Sequence, residues 1–180
     1  MKEGNLALIR KCLEEAGVKF WTLSWEHETR QELYTIFQED EASRNVETDT
    51  FKAMLWVDHE DPEGKYTGEA RVPLPTGAEE REYRRLVADG RAAALLVKNR
   101  RFEIAQERYR YPSLANVDPR LAEAPEEAIR DLRAAVAGEV SRHRDLELSS
   151  AEYLLGLRCR RFWNSAGNAY EFASTSLTLE

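Results

Sequence analysis

Three histidines, two cysteines and 33 carboxylates are the side chains from which this 180-residue sequence would have to assemble metal, nucleophilic or acid–base chemistry. The pair His27-Glu28 in "WEHETRQEL" has the residue types of a zinc-hydrolase helix, which needs a second histidine one turn away so that both rings reach one metal. Here Thr29, Arg30, Gln31 and Glu32 come next. The pair also lies in strand-like sequence, where neighbouring side chains point to opposite faces. In "VDHEDPEG", Asp58, His59, Glu60, Asp61 and Glu63 cluster around a turn and could in principle meet a divalent ion. They lack the ligand spacing and positioned glycine of a calcium loop, and a polar hairpin loop accounts for them. His143 stands apart from both groups.

Covalent and phosphate chemistry find no better footing. No Gly-x-Ser-x-Gly elbow occurs, neither Cys12 nor Cys159 has a histidine nearby in sequence, and the glycine patterns that cradle phosphates are missing. The sequence therefore predicts no catalytic residue, no metal ligand set and no cofactor in this chain. Trp21, Trp25, Trp56 and Trp163 all fall in predicted strands, where aromatic residues stabilise cross-strand packing more often than they wall a ligand groove.

The formal charge of -7 repels a phosphate backbone and argues against duplex binding. The basic stretch "KNRRFEIAQERYR" reads as a solvated connection whose arginines meet nearby glutamates. Two cysteines without a ladder of spacings suit a reduced, cytoplasmic setting, and no segment approaches the ~18 apolar residues of a membrane span. The length is enough for one substantial core without disulfides or a structural metal.

The elements that would position any site are set by periodicity. Leu6, Ile9 and Leu13 mark a first helix, with Gly17 at a left-handed cap. From Lys19 to Pro75 the period drops to two: Trp21, Leu23 and Trp25; Tyr34 and Ile36; Phe51, Ala53, Leu55 and Val57; Tyr66, Gly68, Ala70 and Val72. This predicts a four-stranded antiparallel meander, its last turn made by the Asp, Pro and Gly of "DHEDPEGK". Thr76 stands three residues before Glu79 at capping-box spacing and opens a second helix, with Tyr83, Leu86, Val87, Ala93 and Ala94 near one face. Pro125 opens a third helix, with a stripe of Ile129, Leu132, Val136 and Val140. Between them runs an irregular arm, about residues 99–124, either an ordered excursion or a mobile one. From Leu146 onward the chain returns to strands, Tyr153 to Cys159 and Ala169 to Leu179, joined by an Asn-Ser-Ala-Gly turn. The expected fold class is α+β: an antiparallel sheet covered by helices on one face, order α-β-β-β-β-α-α-β-β, in one domain over 1–180.

The terminal "CRRFWNSAGNAYEFASTSLTLE" resembles the strand, Asn-Ser-x-Gly turn and Ser/Thr-rich strand of the TldD/PmbA family, the metallopeptidase-related proteins called modulators of DNA gyrase. "NVETDTFKAMLWVDHEDPEGKYTGEARVPL" is similar to the family's early strands, and "NVDPRLAEAPEEAIRDLRAAV" to its Asp-Pro start and helix. The resemblance spans nearly the whole chain and implies an N-terminal domain that shapes a peptide-receiving cavity and a subunit contact. It further implies a C-terminal domain, absent from this chain, that carries a His-Glu-x-x-x-His zinc motif in TldD-like members and lacks it in PmbA-like partners. No second histidine follows His27-Glu28 at that motif's spacing, so no catalytic role transfers.

The resemblance thus implies a non-catalytic domain whose partners are a peptide substrate and a homo- or hetero-dimeric subunit, with no nucleic acid and no membrane. Zinc would belong to the missing domain. A strand running to Glu180 suggests a longer chain or a neighbouring polypeptide continuing the sheet. Trp163, Asn164, Ser165 and Gly167 are the peptide or partner contacts expected on a terminal strand edge, with plain turn chemistry as the competing account of Asn164 and Gly167. A stand-alone interaction module without enzymatic activity is the alternative, and a hydrolase working through carboxylates a third.

Overall fold

The computed structural model describes residues 3–145 and 147–180; Met1 and Lys2, where the predicted first helix begins, and Leu146, where the last segment begins, lie outside them. The elements are α1 (Glu3–Glu15), β1 (Phe20–Ile36), β2 (Glu39–Asp61), β3 (Gly64–Leu74), α2 (Glu80–Ala94), β4 (Leu114–Asn116), α3 (Pro119–Glu123), α4 (Pro125–Arg142), β5 (Ser150–Asn164) and β6 (Ala169–Leu179). Six strands form one mixed sheet in the order β3-β2-β1-β5-β6-β4, with β2 and β3 antiparallel and β4 parallel to β6. The class is α+β. The described chain divides into two compact units, one comprising the chain through Glu26, Asp49–Ser113 and Arg160–Glu171, the other His27–Thr48, Leu114–Cys159 and Phe172–Glu180.

In the first unit the alternation of Phe51, Ala53, Leu55 and Val57 on β2 puts all four in the core, together with Val72 and Leu74 of β3. Helix α2 lies against them through Tyr83, Val87, Gly90 and Ala94. Two glycines let it come this close. A Cβ on Gly68 would lie 1.8 Å from the Ala94 carbonyl oxygen, and one on Gly90 would lie 2.2 Å from Val72 Cγ2. Ile9, Cys12 and Leu13 of α1 complete the core, and Gly17 takes the left-handed cap at φ +63°. Burial pushes the Cys12 thiol pKa up, which keeps the thiol protonated and inert.

The predicted capping box at Thr76 does not form. Gly77 turns the chain at φ +81°, the helix starts at Glu80, and Glu79 is its cap residue without a side-chain bond. Glu80 and Glu82 in the first turn supply the negative charge that the helix N-terminus favours, and the Tyr83 hydroxyl ties the preceding turn by donating to the Pro75 carbonyl at 2.8 Å. Gly90 is buried while Ala93 is exposed and Leu86 half-buried, so the covering stripe is rotated from the predicted one.

In the second unit α4 starts at Pro125 as predicted and buries Ala128 and Ile129 against Ala151, Tyr153 and Leu155 of β5. Leu132, Val136, Leu33 and Leu177 pack around that cluster. The meander differs from its prediction. The segments at Trp21–Trp25 and Tyr34–Ile36 belong to one 17-residue strand, because the polar stretch between them contains no Gly or Pro to break it. Its far end also has the opposite face inward. Tyr34 is 38% exposed, whereas Thr35 is buried and its hydroxyl donates to the Ala151 carbonyl at 3.4 Å. The turn after it has positive φ at both Phe37 and Gln38, a two-residue hairpin geometry that fixes the register regardless of hydrophobicity.

Among the described residues Glu32 is the buried charge of this unit, 5% exposed. Arg44 hydrogen-bonds its carboxylate and Arg30 Nε stands 2.6 Å away, and together, against the cost of desolvation, they hold its pKa below the usual carboxylate range.

Candidate functional site

The turn between β5 and β6 gathers the residues that the sequence singles out, all within the first unit. The Asn164 amide nitrogen donates to the Asn168 carbonyl at 3.1 Å, its side-chain oxygen accepts from the Asn168 N–H at 2.9 Å, and Gly167 has φ +84°. Turn chemistry therefore explains Asn164 and Gly167. Ser165 binds β1 on both sides: its N–H donates to the Trp21 carbonyl at 3.0 Å and its hydroxyl accepts from the Trp21 N–H at 3.2 Å. Ser165 and Gly167 are exposed, and Trp163 is half-buried. It walls a groove of about 450 Å³ together with Leu6, Tyr111, Arg161, Tyr170 and Glu171.

The groove is aromatic on one flank and ionic on the other. Tyr109, Tyr111, Tyr170 and Phe162 form a chain of rings with centroid separations of 6.2, 6.1 and 4.8 Å. The three tyrosines are exposed, a continuous apolar surface of the kind that marks contact sites. Arg161 Nε donates to Glu171 at 3.0 Å, and its guanidinium stacks over Trp25 with its carbon 5.8 Å from the ring centroid. The ion pair and the stack both hold Arg161 in place at the groove wall.

Asn168 is the residue that the sequence did not reveal. Buried at the turn, it accepts a bond from the Tyr109 N–H at 2.6 Å through Oδ1 and donates one to the Glu107 carbonyl at 2.9 Å through Nδ2. One amide so ties Glu107 and Tyr109 of the arm to the hairpin. Asn168→Asp replaces the donor with an acceptor facing a carbonyl, at a cost of about 1–3 kcal/mol for the unsatisfied groups. Trypsin should then cut at Arg108 or Arg110 at least tenfold faster than in the parent chain, as read by gel or mass spectrometry. An unchanged cleavage rate would show that the arm is held by other contacts.

The two candidate metal clusters are committed elsewhere. Asp58 is pushed up by burial, but the Thr67 hydroxyl, Lys19 and Arg101 outweigh that effect and leave its pKa below the usual range. His59 Nε2 lies 2.9 Å from the Val97 carbonyl, and Lys98 bridges Asp61 and Glu63. His27 lies 4.0 Å from Glu47. Among the described residues no three His, Cys, Asp or Glu side chains are arranged to hold a metal ion. No described helix is long and apolar enough to cross a membrane.

Of the terminal strands, β6 pairs with β4 over three residues, so past Ser174 its outer side has no partner strand among the described residues. Strand β5 lies inside the sheet between β1 and β6, and β4 covers β6 at Phe172–Ser174. Three exposed residues with no apolar alternation make β4 invisible to periodicity.

No family model and no curated protein matches the sequence. Solved structures do. A protein of Bacteroides thetaiotaomicron VPI-5482 that bears the name modulator of DNA gyrase superposes with a TM-score of 0.73 at 16% identity, covering 99% of this chain and 40% of its own. TldE from Thermococcus kodakarensis gives 0.67 at 12%, covering 97% and 38%. A second protein bearing the gyrase-modulator name, from Thermotoga maritima MSB8, gives 0.67 at 13%, covering 99% and 39%. The chain thus spans about two-fifths of the length of the structures it matches, and over that span its fold is a TldD/PmbA-type fold.

Proposed function

We propose that this chain is a non-catalytic α+β domain of a TldD/PmbA-type metallopeptidase or of its zinc-less partner subunit, shaping the cavity that receives unfolded peptides and contributing a subunit contact. The observation that carries this reading is structural likeness over essentially the whole chain to three proteins of that fold. In this reading the zinc and the hydrolytic step belong to the catalytic domain. The catalytic domain is a further part of the proposed protein, and the cytoplasm its proposed location.

Within the domain, Trp163 with Tyr111 and Tyr170 forms the peptide or partner contact, and Asn164, Ser165 and Gly167 hold Trp163 in position. Aromatic surface of this kind gains contact area with little loss of rotamer freedom and tolerates varied sequences.

The test uses a fluorescein-labelled, carboxymethylated unfolded peptide. It should bind the chain without being cleaved, and Trp163→Ala should weaken binding by about tenfold, as loss of a central aromatic contact does. Binding unchanged in Trp163→Ala removes the groove from the site. Cleavage by this chain alone, abolished by a chelator, would replace the proposal with the hydrolase reading.

A further inference from the structure

In β2 the pairing with β3 begins only at Phe51, opposite Leu74, and runs to Asp61, opposite Gly64. The sheet order gives β2 no other neighbour than β1 and β3. Along Glu39–Thr48, on the side away from β1, the strand therefore has no partner strand among the described residues. That is about 30 Å of backbone at ~3.3 Å per residue, with donors and acceptors facing outward.

Two cavities of about 250 and about 330 Å³ adjoin, since Gln31 and Asn45 line both. Strand β2 contributes Ser43 and Val46 to their walls, while Pro125, Ile129 and Leu121 of the α3–α4 segment stand across from it. Thr29, Arg30 and Leu33 of β1 and Leu155 and Leu157 of β5 line them too, so the cavities lie on the sheet face opposite the α3–α4 segment, and the edge of β2 itself can receive an added strand through backbone bonds.

The charge of the edge selects the occupant. Glu39, Asp40, Glu41 and Glu47 face one cation of the same stretch, Arg44, which is already bound to Glu32. Arg133 neutralises Asp40 at 2.6 Å, and Glu47 lies 4.0 Å from His27. Glu39 and Glu41 have no ion-pair partner among the described residues, and in the smaller cavity Glu126 offsets Arg130. A second copy pairing through the same edge would set like charges against each other, which disfavours it. We infer that Glu39–Thr48 is a docking edge for an extended, lysine- or arginine-bearing chain that adds to β2 as a strand. This surface lies outside the Trp163 groove, and either can stand without the other.

Three labelled peptides test it by fluorescence anisotropy on the whole chain: one alternating Lys and Val, one alternating Glu and Val, and the Lys peptide N-methylated at every second residue. The Lys peptide should bind at least tenfold tighter than the other two, and its affinity should fall with added salt. The double variant Glu39→Lys/Glu41→Lys should lose at least tenfold for the Lys peptide with an unchanged melting temperature. Equal affinity for the N-methylated peptide would overturn strand addition. Indifference to the double variant would overturn the assignment to this edge, as would sedimentation showing that the edge is closed by a second copy.

Discussion

Gly68→Ala should cost the first unit about 3 kcal/mol or more, the upper part of the range for overpacking, because the new methyl group has nowhere to go. It would lie 1.8 Å from the Ala94 carbonyl oxygen, 2.8 Å from the Ala94 carbonyl carbon and 2.9 Å from the Val97 oxygen. All three are backbone atoms. No rotamer change relieves the overlap, and the last turn of α2 would have to lift off β3, exposing Ala94 and straining the bonds that Leu95, Leu96 and Val97 N–H make to Arg91, Ala93 and Ala94 carbonyls. The melting temperature should fall by about 10 °C for a chain of this size. Tryptophan emission reads the loss directly, since Trp21, Trp25, Trp56 and Trp163 all belong to the first unit. Gly4→Ala is the control, because nothing lies within 4 Å of its added Cβ. A Gly68→Ala melt within about 2 °C of the parent, the shift that about 1 kcal/mol or less produces, would mean that the helix end does not rest on β3 as closely as described.

Gly68 also shows what a sequence can and cannot reveal. Its place in a strand was legible from the alternation of Tyr66, Ala70 and Val72, yet the reason for glycine was not, since the carbonyl that excludes a side chain comes from another element. The same division runs through the fold. Elements with one apolar face, such as α1 ending at Gly17 and α4 opening at Pro125, were readable because burial leaves a period. Glu39–Thr48 was missed as strand because its residues are almost all exposed and leave no alternation to see. Face assignment near Thr35 failed because the Phe37–Gln38 turn, rather than hydrophobicity, sets the register there.

The candidate site divides likewise. Trp163, Asn164 and Gly167 stood out because an aromatic preceding Asn and Gly at a turn is a local signal. Tyr109, Tyr111 and Asn168 did not, because the contacts that join them to the hairpin span the distance from Glu107–Tyr111 to Asn168–Tyr170. Resemblance to a family identified the fold where residue chemistry could not, and it was the shared fold that the solved structures bore out at 12–16% identity.

Tyr153→Ala should have the corresponding effect on the second unit, about 3–5 kcal/mol, the range for removing a large buried aromatic ring. Tyr153 is 2% exposed at the centre of the cluster formed by Ala128, Ile129, Ala151 and Leu155, with Leu33, Leu132 and Leu177 around it. Two of those neighbours are alanines, whose short side chains cannot swing in to fill the space, so the cavity remains and adds to the lost transfer energy. Tyr153→Phe separates the ring from its hydroxyl. Burial raises the Tyr153 pKa, so the group is a neutral phenol whose hydroxyl meets Thr35. Thr35 keeps its own bond to the Ala151 carbonyl when that hydroxyl is removed, so the phenylalanine variant should lose only about 1 kcal/mol. Hydrogen exchange at the α4 amides of Ile129 and Leu132 is the measurement. Protection should fall by more than about a hundredfold in Tyr153→Ala and by less than about tenfold in Tyr153→Phe, the ratios that correspond to those energies at about 1.4 kcal/mol per decade. Equal losses in the two variants would assign the stabilisation to the hydroxyl and its bond to Thr35, a polar contact between β5 and β1, instead of to ring burial.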